Sequence, residues 1–251
     1  MPRYFLEISY KGSRYSGFQV QENANSVQEE VEKALAVYFR KTISLTGSSR
    51  TDTGVNALQN FFHTDLEEEI SGKMVYNLNA ILPDDIVLKN LYQVAAEAHC
   101  RFDAVSREYH YHVYRLKDPF IKDLAYYFPY VMDLAVLQAA AERVGCFEDF
   151  TSFSKRNTQA KTPFCRVEES TWFQEGATLI YKVRANRFLR GMVRGLVGTM
   201  LQVGRGRMSL EEFNRVIAGK DASKADFSVP GHGLFLARVN YPEGFLGSPM
   251  N

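Results

Sequence analysis

Arg50 and Asp52 stand two residues apart in Gly47-Ser48-Ser49-Arg50-Thr51-Asp52-Thr53-Gly54-Val55-Asn56-Ala57, a stretch set between two short apolar runs. Little in it can fill a core. Its glycines free the backbone from side-chain sterics, so a tight turn can offer a cation and a carboxylate together to a ligand. The plainer reading is a turn that uses Thr-Asp and Gly because turns favour them. Phosphate cradling by a nucleotide-hydrolysing loop is excluded, because Gly47 and Gly54 have the wrong spacing and no Gly-Lys-Ser/Thr follows. A dinucleotide cofactor is equally unsupported. No Gly-x-Gly-x-x-Gly joins a strand to a helix, and Gly204-x-Gly206 follows a helix instead.

A carboxylate becomes a nucleophile when a neighbouring guanidinium keeps it ionised, and the sequence supplies guanidiniums elsewhere. Residues 176–210 contain no acid, against Lys182, Arg184, Arg187, Arg190, Arg194, Arg205 and Arg207. The formal charge of the whole chain is only +1, so this is a local basic stretch, suited by its planar arginine forks to phosphate oxygens and bases. Arg190 and Arg194 have i, i+4 spacing, which on one helix places them on one side. Gly191, Gly195 and Gly198 would let another backbone or a nucleic acid approach that helix. Ser154 to Thr162 is a polar basic loop carrying Lys155, Arg156 and Lys161. Tyr109, on an aromatic strand, can stack on a flipped base or lend its phenol to proton transfer, or simply be a half-buried sheet residue. His110-x-His112 has no third ligand nearby, and Cys100, Cys146 and Cys165 lack metal-ligand or disulfide spacing, so no metal is expected.

These residues need a scaffold, and the periodicities predict one. Arg3 to Tyr10 reads as a strand, followed by the polar loop Lys11 to Gln21, which holds Arg14. Ser26-Val27-Gln28-Glu29 is a capping box, opening a helix with Val27, Val31, Ala34, Leu35 and Tyr38 on one face. Strands at 42–46 and 58–65, a helix from about Ser71 and a strand at 86–94 complete βαββαβ. The second half repeats the plan with one added helix. Its parts are a strand at 107–116, a helix capped by Asp133, a hairpin of 165–173 and 178–185, a helix from Leu189 to Gly204, a capping box at Ser209 and a strand at 234–239. Two ferredoxin-like halves of an α+β fold are expected, with mostly antiparallel sheets abutting around a cleft. The divisions fall at 1–103 and 104–246, with 247–251 as a tail.

At 251 residues, 45% apolar and 24% charged, the composition is that of a globular protein. No run of about 18 apolar residues occurs, and the opening residues lack an apolar signal core, so a cytoplasmic protein without membrane association is expected.

Ser49 to Ala57 resembles the Gly-Arg-Thr-Asp-Ala-Gly-Val-His-Ala signature of the tRNA pseudouridine synthase A (TruA) family. The resemblance runs along nearly the whole chain: Tyr10-Lys11-Gly12 with Tyr15, Gly17, Phe18-Gln19 and Gln21; Val27-Gln28; Arg101-Phe102; Ser106-Arg107-Glu108-Tyr109-His110-Tyr111; Asp149-Phe150-x-x-Phe153; Phe188 to Arg194; and Pro230-x-x-Gly233-Leu234. The departures are Ser49 for Gly, Thr53 for Ala, Asn56 for His and Gln59-Asn60 for Gly-Gln, and they bear on substrate choice more than on the reaction. The resemblance implies the pseudouridine synthase fold with a positively charged cleft. It also implies an isomerase that converts uridine to pseudouridine in the anticodon stem-loop of tRNA, as a homodimer and without metal or cofactor. Asp52 would then be the nucleophile, at ribose C1′ or uracil C6, and Arg194 would pair with it. Arg50 would enter the place of the flipped uridine and Tyr109 would pack on the uracil. Arg14, Lys155, Arg156, Lys161, Arg187 and Arg190 would bind RNA. The contrasting expectation is a non-catalytic tRNA-binding or RNA-chaperone protein using the same basic cleft. A methyltransferase is disfavoured, because no glycine-rich cofactor loop follows the first strand.

Overall fold

Strand β1 (Arg3–Tyr10) is buried along nearly its whole length because it lies between two partners, β3 (Asn56–Asp65) and β4 (Ile86–Val94), both antiparallel to it. The computed structural model describes residues 1–68, 70, 72–155 and 162–250. Within them the chain forms two units, Met1–Val105 with Leu236–Asn251, and Ser106–Phe235. The short β2 (Thr46–Gly47) adds to β3, giving the first unit the order β4-β1-β3-β2. With helices α1 (Val27–Phe39) and α2 (Met74–Ile81) in between, the element order is the expected βαββαβ. Ser26 caps α1 by accepting from Glu29 N–H, and Val27, Val31, Ala34 and Leu35 are buried, as their 3.6-residue spacing predicts.

Strand β2 is shorter than the expected 42–46. Side chains of α1 explain why, since Glu32 accepts from Leu45 N–H and Gln28 donates to Leu45 O, both at 2.9 Å. The backbone groups that a strand partner would have used are thereby taken. Helix α2 begins at Met74, later than the expected start near Ser71, which lies outside the described residues.

In the second unit β5 (Ser106–Tyr114), β8 (Thr178–Ala185) and β7 (Val167–Glu175) pair antiparallel in the order β5-β8-β7. A two-residue strand not expected from the periodicities, β6 (Tyr126–Tyr127), runs parallel to β5. Three helices complete the unit: α3 (Leu134–Val144), capped by Asp133; α4 (Met192–Gly204), the most buried of all; and α5 (Leu210–Ala218), opened by the Ser209/Glu212 capping box. Mixed α+β with mostly antiparallel pairing is therefore the architecture, in nine strands and five α-helices among the described residues.

The two units differ from a division into 1–103 and 104–246 with 247–251 as a tail. Strand β9 (Leu234–Asn240) runs into the first unit from Leu236, where Val239 N–H donates to Gln59 Oε1 at 3.0 Å. Tyr241 then packs on Phe5 and Phe61, Phe245 stacks on Tyr241 at 5.3 Å, and Met250 N–H reaches Leu91 O. Aromatic side chains on β1 and β3 would otherwise stay uncovered.

Candidate active site

The loop from Ser48 to Val55 joins β2 to β3 and is tied down on every side. Ser48 N–H donates to Phe61 O at 2.8 Å, and Asn60 Nδ2 donates to Ser49 O at 2.9 Å. From the other side, Phe18 N–H donates to Thr51 O, and the Tyr10 and Thr51 hydroxyls share a buried hydrogen bond of 2.7 Å. Thr53 Oγ1 donates to Ser16 O, and Val55 N–H closes the turn on Asp52 O. Gly12 comes so near that a Cβ there would lie 2.1 Å from Val55 O, which only glycine permits. Between these anchors Asp52 is half-buried and Arg50 exposed. Both face a solvent-accessible surface while their backbone is fixed.

The family departures also have structural duties. Asn56 is 1% exposed, and its Oδ1 accepts from Gly12 N–H at 2.9 Å. Gln59 bridges Glu7 and Val239, and Asn60 spans the loop. Their side chains hold the scaffold around the loop.

The second unit places its residues differently from the helical spacing. Gly191 has φ +77°, a left-handed conformation at the N-cap, so α4 begins at Met192. Arg190 therefore lies in the preceding turn, and the i, i+4 pairing on one helix is corrected. Arg190 O accepts from Lys155 N–H at 3.0 Å, and the Lys155 stem lies against Gly191, bringing those two cations to the start of α4. Arg194, in the first turn, donates from Nε to Val229 O at 2.8 Å. Gly198 admits a backbone, not a nucleic acid: a Cβ there would be 2.2 Å from Asp226 O. Tyr109 is half-buried on β5 and meets Phe188 edge-on at 5.0 Å. Arg187 is half-buried just before that turn, while Arg156 and Lys161 lie outside the described residues.

The acid-free stretch is less unpaired than it reads. Lys182 bonds Glu169 at 2.9 Å, and Arg184 bonds Glu168 and Glu169 at 3.2 and 3.1 Å, across the β8–β7 pair. Arg205 sits over the Tyr130 ring at 3.5 Å. In the first unit Arg14 lies 3.2 Å from Asp84 and 3.3 Å from Asp85. Lys155 and Arg190 lie together at the start of α4, and Arg207 is exposed beyond its end.

His110 bonds Glu108 at 2.9 Å, and burial holds His112 well below the usual imidazole range, at about 4, so this pair is structural. The cysteine spacing concealed a different grouping. His63, His99 and Cys100 bring ligand atoms within 4.8 Å of one another, though His63 is remote in sequence from the other two. Only the fold makes that cluster visible.

A sequence profile described as tRNA pseudouridine synthase matches residues 139–242. Over 246 residues the chain is 45% identical to tRNA pseudouridine synthase A of Parabacteroides distasonis, covering 97% of each protein. It is 41% identical to the protein of the same name from Porphyromonas gingivalis, covering 96% of this chain and 98% of that one. A third, from Bacteroides thetaiotaomicron, is 42% identical, with 97% and 92% covered.

Proposed function

The chain belongs to the tRNA pseudouridine synthase A family, and from that premise we propose that it isomerises uridine to pseudouridine in the anticodon stem-loop of tRNA with Asp52 as nucleophile. The observation that carries the assignment is the contrast within the β2–β3 loop: the backbone around Asp52 is anchored to β3 and to the 10–18 segment, while the carboxylate itself is half-exposed. Such a group is held in place for attack without reorganisation.

The carboxylate adds at ribose C1′ or uracil C6. In either course the N1–C1′ bond breaks, the base turns, C5 bonds C1′ and the bond to the Asp52 carboxylate breaks, returning it free. The C5 proton leaves and N1 gains one, so no oxidant or reductant is needed. Arg194 is assigned as the cation that pairs with Asp52. Arg50, exposed on the same loop, takes the place of the flipped uridine, and Tyr109 packs its ring on the uracil. Flipping costs a few kcal/mol and least in a loop or at a stem end, which favours the anticodon stem-loop. Lys155, Arg187 and Arg190 hold phosphates around the start of α4. For Arg14 a phosphate must displace Asp84 and Asp85. The working unit is a homodimer in the cytoplasm, where its tRNA substrate is found.

Replacing Asp52→Ala should abolish tritium release from tRNA carrying C5-labelled uridine while leaving tRNA binding intact. Retained release would remove Asp52 from the chemistry. Wild-type protein that binds tRNA but releases no tritium would point to the non-catalytic RNA-binding role instead.

A further inference from the structure

Three donors of the kind that hold borderline-soft metal ions meet in the first unit, and none has a part in the isomerisation. His63, buried on β3, has Nδ1 3.1 Å from Cys100 Sγ, and the rings of His63 and His99 lie edge to face at 4.6 Å. All three ligand atoms fall within 4.8 Å of one another. The surroundings fix these side chains. Cys100 N–H points at His63 Nδ1, Phe5 stacks on the His63 ring, and Arg101 N–H donates to His99 Nδ1. His99 N–H in turn donates to Asp103 at 2.7 Å, which fixes the turn. The opposing charges nearby are Arg101, over the Phe102 ring, and Arg3, whose guanidinium is gripped by both oxygens of Asp65 at 2.7 and 2.8 Å and so brings little net charge to the cluster.

We propose that His63, His99 and Cys100 form a structural site for a zinc-class divalent ion that ties the turn after β4 to β3. Two imidazoles and a thiolate suit such an ion, and three protein ligands leave a fourth position for water. Binding converts the Cys100 thiol to a metal thiolate and releases one proton to solvent. The thiol now donates to Thr46 O at 3.2 Å, on the strand that leads into the Asp52 loop. The ion would therefore brace the base of that loop and supply no chemistry at the uridine.

Cobalt(II) serves as the probe on the full-length protein, previously stripped with chelator. The expected result is one equivalent with a thiolate-to-cobalt charge-transfer band that zinc displaces. Cys100→Ala should remove the band, His99→Gln should weaken binding at least about tenfold, and Cys146→Ser, at the exposed thiol, should leave it unchanged. Absence of a tight equivalent, persistence of the band in Cys100→Ala, or its loss in Cys146→Ser overturns the site. Should the ligand variants misfold, zinc-edge anomalous scattering from wild-type crystals decides: a peak among the three side chains supports the site, and its absence there refutes it.

Discussion

The hydroxyl of Tyr10, 2.7 Å from Thr51 Oγ1 and within 3.4 Å of Asn60 Nδ2, belongs to a buried network beneath the loop that presents Asp52. Tyr10→Phe leaves the Thr51 hydroxyl without that partner, an expected cost of about 1 kcal/mol. Because the strand is otherwise intact, kcat for tritium release should fall more than tRNA affinity, a split that single-turnover and binding assays separate. Titration gives a second test at this scale. Burial, and then the nearby His110, push His112 down to about 4 from an ordinary 6.5. The unfolded chain binds a proton there that the folded chain does not, so stability should decline as pH drops from about 6.5 toward 4 and then level off. His112→Gln should flatten that part of a denaturation-against-pH curve, and an unchanged slope would assign the decline to other groups. Arg50 and Asp52 were legible in the sequence because they sit together in one loop of unusual composition. Tyr10 and Asn60 were not legible as its supports, since a buried hydrogen bond across two strands leaves no spacing signal. The His63, His99 and Cys100 cluster was hidden for the same reason.

Among the elements, α4 was readable in its extent but not in its start. The apolar run from Leu189 looks helical throughout, and only a left-handed Gly191 reveals that Arg190 stands outside the helix. Its glycines were readable as a close approach but not by what. Gly198→Ala drives a Cβ against the backbone carbonyl of Asp226, in a region pinned by Gln202 and Thr199 to the same aspartate. Overpacking of this kind costs about 1–3 kcal/mol, so the melting temperature should fall by several degrees. Tritium release per folded molecule below that temperature should change far less. A variant as stable as wild type would mean that the 226–229 segment moves freely. The charges of β8 were misread for want of a third dimension: a count along the chain cannot see Glu168 and Glu169 on β7 facing Lys182 and Arg184.

At the scale of the whole molecule, the two βαβ-rich halves and their antiparallel pairing were written in the hydrophobic periods, and the return of the C-terminal residues was not. Nothing in Tyr241 to Met250 marks it as part of the first unit until Tyr241 is seen against Phe5 and Phe61 and its hydroxyl on Cys100 O at 2.5 Å. Ending the chain at Asn240 should therefore lower the melting temperature and abolish tritium release, although every proposed catalytic residue is retained. Wild-type thermal stability in that truncation would show the return to be dispensable. The same return orders events during synthesis. All of Ser106–Phe235 leaves the ribosome before Leu236, so the second unit has its full sequence while the first still waits for its last strand. The unit that holds the Asp52 loop therefore depends on residues made after the whole of the other unit.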